Sequence, residues 1–131
     1  MKSPKTRLHS VMVVGATPAG LAAVNKLGEL GVPVILVDSE ADLDRKLADD
    51  KYRFDSGMPF NYAHRPGLIR ILRNPGIHCI LPGEIRSVRH NPQGFHVRIQ
   101  PQALYVDSQR CTLCGRCVAV CPVGALSIDY Q

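Results

Sequence analysis

The sequence predicts an α/β fold followed by a small cysteine-rich segment, and three observations predict it. Two short apolar runs, Val11–Val14 and Val34–Val37, flank a glycine turn and a stretch with apolar residues at helical spacing. Further apolar runs between residues 77 and 100 are typical of added β-strands. Four cysteines follow between residues 111 and 121. A chain of 131 residues holds one ordinary domain, or two small ones with a modest core.

The amino-acid composition limits the kinds of molecule that this chain is expected to bind. The chain is 45% hydrophobic, as is normal for a globular protein, but it is only 5% aromatic and has no Trp, which disfavours a base-stacking surface. The net charge of +5 comes from Lys and Arg spread along the chain, so we expect no nucleic-acid binding. The positive charge either has no specific role at the protein surface or helps the surface to dock an acidic redox partner.

The first ten residues are basic, but the apolar run Val11–Val14 behind them is too short for the core of a signal peptide. No stretch is long enough to span a bilayer, so we expect no membrane insertion. Thiols stay reduced in the cytoplasm, and we expect the protein there.

Residues 8–38 predict a β-α-β unit. The turn Gly15–Gly20 follows the first strand, and Gly31 suits the position just after the helix, which Pro33 prevents from continuing. Apolar residues recur at helical spacing between these turns: Leu21, Val24, Leu27 and Leu30.

A β-α-β unit with an acidic residue about twenty positions after the turn is a dinucleotide-binding fingerprint. The helix N-terminus meets a pyrophosphate, and Asp38 meets a ribose hydroxyl. Thr17 replaces the middle glycine; its side chain would crowd the pyrophosphate, although its hydroxyl could donate to a phosphate. The alternative is a unit that keeps the fold but has weakened or lost the nucleotide. The candidate nucleotide-binding residues are Gly15, Thr17, Pro18, Ala19, Gly20 and Asp38.

The middle of the chain gives weaker signals. Residues 39–63 are charged and predict a short solvated helix or a loop, with nearby aromatic side chains sealing the core. Pro66 is predicted to open a helix that ends at Asn74. Phe95 begins an alternating run with one buried face, and the histidines are interpreted as surface or strand residues. The predicted strands are Ile77–Leu81, Glu84–His90 and Phe95–Gln100, the last two forming a hairpin.

The clearest motif is the run from Cys111 to Pro122, which has the pattern C-x-x-C-x-x-C-x-x-x-C-P. This is the ligand run of a bacterial-type iron–sulfur site. Gly115 stands where the backbone bends beneath the sulfur atoms, and Pro122 ends the final turn. Zinc sites usually separate two C-x-x-C pairs by a long spacer, and disulfides scatter their cysteines. The predicted metal ligands are Cys111, Cys114, Cys117 and Cys121.

The role of Cys121 stays open. In two-cluster ferredoxins the fourth cysteine of each run binds the other cluster, but this chain has a single run. Either Cys121 closes the local cluster or another ligand comes from elsewhere, with a partner chain favoured as its source. Cys79, in a predicted strand, is interpreted as a small buried hydrophobic residue. Leu104–Val106 and Ala125–Ile128 are predicted to pair as a ribbon beneath the cluster.

Taken in order, these parts resemble the N-terminal region of the HdrA subunit of heterodisulfide reductase and of related iron–sulfur flavoproteins. The resemblance covers most of residues 8–124. It implies that Gly15, Gly20 and Asp38 contact FAD and that the cysteines hold a [4Fe–4S] cluster. Thr17, and the absence of a glycine pair after Asp38, depart from the family pattern. The resulting fold is a partial Rossmann-like (FAD/NAD-type) domain over residues 1–102 and a ferredoxin-like segment over residues 103–131.

The resemblance implies an electron-transfer component or fragment of an oxidoreductase complex rather than a complete enzyme. Its partners would be other members of that complex, such as a flavoprotein or a ferredoxin, and a homo-oligomer stays open. No catalytic residue can be assigned. The alternative is a non-catalytic binding module or redox sensor, with a degenerate nucleotide-binding fold and a structural cluster.

Overall fold

Three parallel strands form the sheet around which the chain folds. The structure is a computed structural model that describes residues 9–102, 105–106 and 110–127. Strand β1 (Val11–Val14) pairs with β2 (Val34–Val37), and β2 pairs with β3 (Ile77–Ile80). Three of the four residues of β2 are buried, as expected for a central strand. The predicted β-α-β unit and its extra strand are confirmed.

Helix α1 (Pro18–Glu29) connects β1 to β2. Gly31 has a φ of +71°, and the N–H of the following Val32 donates to the carbonyl of Leu27 at 3.0 Å. This is the glycine C-cap that the sequence predicts, in which a left-handed residue lets the last carbonyls find donors. The core beneath the helix contains Ala16, Leu21, Val24, Val34, Leu36, Leu43, Leu47, Leu68 and Ile71.

The region after β2 is more ordered than the sequence suggests. Helix α2 (Leu43–Leu47) is followed by a short 3-10 turn, Asp50–Tyr52. Leu43 is 7% exposed and Leu47 is fully buried, so the predicted solvated helix in fact contributes to the core. Charged neighbours on the outer face of α2 hide this apolar pair in the sequence.

Helix α3 (Phe60–Arg73) begins earlier than predicted. The prediction that Pro66 opens this helix is wrong, because Pro66 lies inside it. Proline there gives up one backbone hydrogen bond. Packing of Phe60 against the core and burial of Asn61 favour the extra turns. The predicted end at Asn74 is confirmed.

A two-stranded antiparallel hairpin follows the sheet. Its strands are β4 (Gly83–Asn91) and β5 (Gly94–Pro101), each one residue longer at either end than predicted. The expectation that Phe95 lies on a buried face of β5 is wrong, because its side chain is 73% exposed. The core cluster contains no hairpin residue among those described, which explains the exposure.

His64 also differs from its interpretation as a surface or strand residue. It lies on α3, half-buried, with its ring 5.2 Å from that of Phe60. Burial, aided by the charge of Arg70, lowers the pKa of His64, so the neutral imidazole is favoured. The histidines of β3 and the hairpin, His78, His90 and His96, are exposed as expected.

The C-terminal segment contains one short helix, α4 (Arg116–Val120), among its described residues. Leu104 and Ile128 of the predicted ribbon lie outside the described residues, and residues 105–106 and 125–127 form no strand. The predicted boundary between residues 102 and 103 touches undescribed residues and stays a prediction. In the part of the chain that the structure describes, no helix has the length and apolar character needed to cross a bilayer.

Candidate functional site

The glycine turn between β1 and α1 is tightly packed. Gly15 has a φ of +101°, and its N–H donates to the carbonyl of Val37 at 2.8 Å. A Cβ on Gly20 would lie 2.1 Å from the carbonyl oxygen of Gly15. Both predicted glycines are therefore required by the backbone itself, one for its conformation and one for the close approach of helix and turn.

Thr17 caps the N-terminus of α1. Its Oγ1 accepts the N–H of Gly20 at 3.2 Å. Pro18, the first residue of α1, has no N–H, and the N–H of Gly20 is bonded to Thr17. Ala19 therefore has the one free backbone N–H among the first three residues of the helix. The Thr17 hydroxyl thus accepts the N–H of Gly20, which would otherwise be available to a phosphate oxygen. The crowding of a pyrophosphate by Thr17 stays a prediction.

Asp38 follows β2 and faces the glycine turn. Its Oδ2 accepts the N–H of Ala16 at 2.6 Å and an ammonium proton of Lys46, while its Oδ1 accepts the N–H of Glu40 at 2.8 Å. The residue is only 4% exposed. Burial alone raises the pKa of Asp38, but the hydrogen bonds from Lys46, Ala16 and Glu40 outweigh it and hold the pKa below its usual value. Lys46 was not predicted, because its position in the sequence relative to Asp38 gives no recognisable motif.

The cysteine loop bends where the sequence predicts. Gly115 has a φ of +75° and precedes α4, and Leu113 also has a positive φ, of +57°. Cys111, Cys114 and Cys117 are exposed on this loop. Both positive φ angles lie between Cys111 and Cys117 and allow the backbone to turn between the predicted ligands.

Two of the cysteines have a thiol pKa below its usual value. The backbone N–H of Arg116 and the hydroxyl of Thr112 lower the pKa of Cys114. The backbone N–H groups of Ala125 and Val123 lower the pKa of Cys121, whose Sγ accepts the Ala125 N–H at 3.3 Å. The thiolate is the form that binds metal, and N–H groups directed at sulfur also tune a bound cluster.

The loop faces a cleft of about 870 Å³. Cys111, Cys114 and Cys117 line this cleft, whereas Cys121 does not. No group of three or more metal-ligating side chains converges closely enough to hold a metal ion among the described residues. The thiol donors and their spacing fit a [4Fe–4S] cluster, with the three cleft cysteines placed differently from Cys121.

The opposite wall of the cleft comes from α2 and α3. Arg65 donates to both carboxylate oxygens of Asp44, at 3.1 and 3.2 Å, and lies 4.7 Å from the ring centre of Tyr62. Asn61 Nδ2 donates to Asp44 at 3.4 Å, and its buried Oδ1 has no partner among the described residues. This polar wall was missed, because it joins residues that are far apart in the sequence and carry no motif.

Cys79 lies in β3, opposite Leu36 of β2, and packs against the core. Burial raises the pKa of its thiol, so the neutral form is favoured. These surroundings suit the interpretation of Cys79 as a small hydrophobic residue.

Comparison with known proteins finds similarity to iron–sulfur proteins. The 4Fe-4S binding domain family matches residues 104–127. The HdrA iron–sulfur subunit of CoB–CoM heterodisulfide reductase from Methanocaldococcus jannaschii is 30% identical over 87% of this chain. The HdrA subunit of the H2/formate:CoB–CoM heterodisulfide, ferredoxin reductase from Methanococcus maripaludis is 31% identical over the same share. The chain spans 17% of the length of each relative.

Solved structures show the fold alone. A putative thioredoxin reductase from Bacillus anthracis superposes on 71% of this chain with a TM-score of 0.52 and 22% identity. An oxidoreductase from Agrobacterium tumefaciens superposes on 70% with a TM-score of 0.51 and 22% identity. This chain covers 31% of either structure, so the shared fold is partial.

Proposed function

We propose that this chain, which is homologous to the N-terminal part of HdrA, relays electrons through one [4Fe–4S] cluster within an iron–sulfur flavoprotein complex. The observation that carries the proposal is the uninterrupted cysteine run inside the matched 4Fe-4S segment, with three of its thiols lining one cleft. The proposed ligands are Cys111, Cys114, Cys117 and Cys121.

A bound cluster supplies one-electron transfer with little reorganisation. The chain's own residues would hold it and tune it. Gly115 allows the ligand loop to turn, and the N–H groups near Cys121 stabilise sulfur charge. The Asp44–Arg65 ion pair in the wall of the same cleft would contribute to the local field.

Direct analysis of the purified protein tests the proposal. We expect protein made without oxygen to be brown, to contain about four irons per chain and to be bleached by dithionite. Metal analysis and absorbance spectra would measure this. A colourless protein with stoichiometric zinc would contradict the cluster assignment.

The partners we propose are other members of a redox complex, such as a flavoprotein or a ferredoxin, in the cytoplasm. Homology to a component of heterodisulfide reductase supports a complex over a free-standing enzyme.

A second candidate function is a binding module or redox sensor with a degenerate nucleotide site. The carboxylate of Asp38 favours it, because that group already accepts three hydrogen bonds within the chain and is only 4% exposed, which leaves a ribose little access. FAD would then have no role in this chain, while the cluster would stabilise the fold or respond to oxidants. Flavin content measured beside iron separates the two functions.

Thr17→Gly should tighten the binding of FAD to this chain, which we expect to be weak or absent in the parent protein. The change removes the side chain that occupies the Gly20 N–H, at a cost of only a few tenths of a kcal/mol for the lost cap. Titration of flavin fluorescence would measure the affinity. Thr17→Ser, which keeps the hydroxyl, is the matched control and should not tighten binding. Tight FAD in the parent protein would contradict this account.

A further inference from the structure

Asp38 joins three parts of the chain. Its carboxylate bonds to the glycine turn through Ala16, to the next loop through Glu40 and to α2 through Lys46. The side chain of Asp38 is 2% exposed and that of Lys46 is 19% exposed. Water therefore screens this ion pair much less than the surface pair Lys26–Glu29, whose side chains are 70% and 62% exposed.

Packing fixes the backbone that carries Lys46. The preceding Leu43 and the following Leu47 are buried in the core. Asp42 caps α2 by accepting the N–H of Arg45 at 3.1 Å. The position of Lys46 beside Asp38 is thus built into the fold, whereas its four-carbon side chain retains freedom to swing away.

A ribose hydroxyl that binds Asp38 has to donate to this same carboxylate. Oδ2 accepts from Ala16 and Lys46 and Oδ1 accepts from Glu40, and the Asp38 side chain is only 2% exposed, so a hydroxyl reaches the carboxylate only where one of these groups moves aside. Displacing either backbone donor would require the tight turn or the following loop to move. Displacing Lys46 requires only side-chain rotation, so it is the one of these three contacts that a nucleotide can replace most readily.

We propose that Lys46 is a specificity-determining residue that competes with the ribose of an adenine ribonucleotide for Asp38. The inference rests on the nucleotide-binding residues that the sequence predicts at the glycine turn, and it gives a reason for the weak FAD binding expected under the proposed function. Lys46 keeps the affinity for nucleotide low, because each binding event separates a shielded ion pair. Removing the ammonium group leaves Asp38 with two backbone donors and room for a hydroxyl.

The test uses the full chain, purified without oxygen, carrying Lys46→Met. We expect ADP and FAD to bind at least about tenfold more tightly to this variant than to the parent, as measured by calorimetry. The gain in affinity should be smaller for 2′-deoxy-ADP, because it lacks the ribose hydroxyl that would donate a hydrogen bond to Asp38. Lys26→Met removes an equally charged but exposed side chain and should leave all three affinities unchanged.

A folded Lys46→Met variant that binds ADP no more tightly than the parent overturns the proposal, and so does an equal gain for 2′-deoxy-ADP. If Lys46→Met does not fold, Lys46→Gln keeps a neutral donor and should give a smaller gain; no gain overturns the proposal. Adding Asp38→Asn to Lys46→Met should abolish the gain. Iron content is a separate readout: its absence from the parent protein contradicts the cluster function, whatever Lys46 does.

Discussion

Replacing Cys111, Cys114 or Cys117 by Ala should remove the cluster, so that iron falls from about four atoms per chain to near zero. Each of these thiols lines the cleft, and an iron that loses its protein ligand becomes exposed and labile. Iron analysis and the visible spectrum of protein made without oxygen measure the loss. Retention of the full spectrum in any of the three variants would show that the replaced thiol is not a ligand.

Cys79→Ala is the matched control for these variants. It removes a thiol from the same chain, but one that lies in β3 and packs against the core. We expect an unchanged iron content and a loss of about 1 kcal/mol in the free energy of unfolding, from the lost packing. Loss of iron in Cys79→Ala would show that this strand thiol is a ligand.

Cys121 distinguishes two ways of completing the cluster. Its Sγ accepts the N–H of Ala125 and does not line the cleft with the other three thiols. We propose Cys121 as the fourth ligand and expect Cys121→Ala to lose iron, since N–H groups directed at sulfur suit a bound thiolate. Iron retained in Cys121→Ala would show that Cys121 is not required as the fourth ligand, and native mass measurement of the complex would test whether a partner chain is present to supply one.

The sequence predicted the elements whose signals are local. Apolar runs, Gly31 and Pro33 define the β-α-β unit, because strand, helix and cap each depend on neighbouring residues. The start of α3 was missed because Pro66 is a local signal for a helix start, while packing of Phe60 and Asn61 decides the true one. Burial of Leu43 and Leu47 was missed for a similar reason, since the surrounding charges dominate that stretch.

The candidate site also has one part that could be predicted from the sequence and one part that could not. The spacing of the cysteines and the bend at Gly115 could be predicted, because the ligand loop is continuous in sequence. The Asp44–Arg65 pair across the cleft joins residues 21 positions apart on two helices. The Asp38–Lys46 pair joins a strand end to the last turn of a short helix. Neither has a sequence signature, since both depend on how α2 packs.

The turn at Gly15–Gly20 carries the largest expected effect on stability. A Cβ at position 20 would lie 2.1 Å from the Gly15 carbonyl oxygen, far inside van der Waals contact. That oxygen cannot withdraw easily, because the Gly15 N–H is bonded to Val37 and the Ala16 N–H to Asp38. Relief of the clash would therefore pull α1 from the sheet or break the bonds of the turn.

We expect Gly20→Ala to lower the free energy of unfolding by about 3 kcal/mol or more, measured by urea unfolding of the iron-loaded protein without oxygen. Gly28→Ala is the matched control in the same helix. Its Cβ would meet only side-chain atoms, the Asn74 amide at 2.9 Å and the Ile77 side chain at 3.0 Å, which can shift. The better helix propensity of Ala offsets that cost, so the control should change stability by no more than about 1 kcal/mol. Equal effects of the two substitutions would contradict the close approach of α1 and the glycine turn.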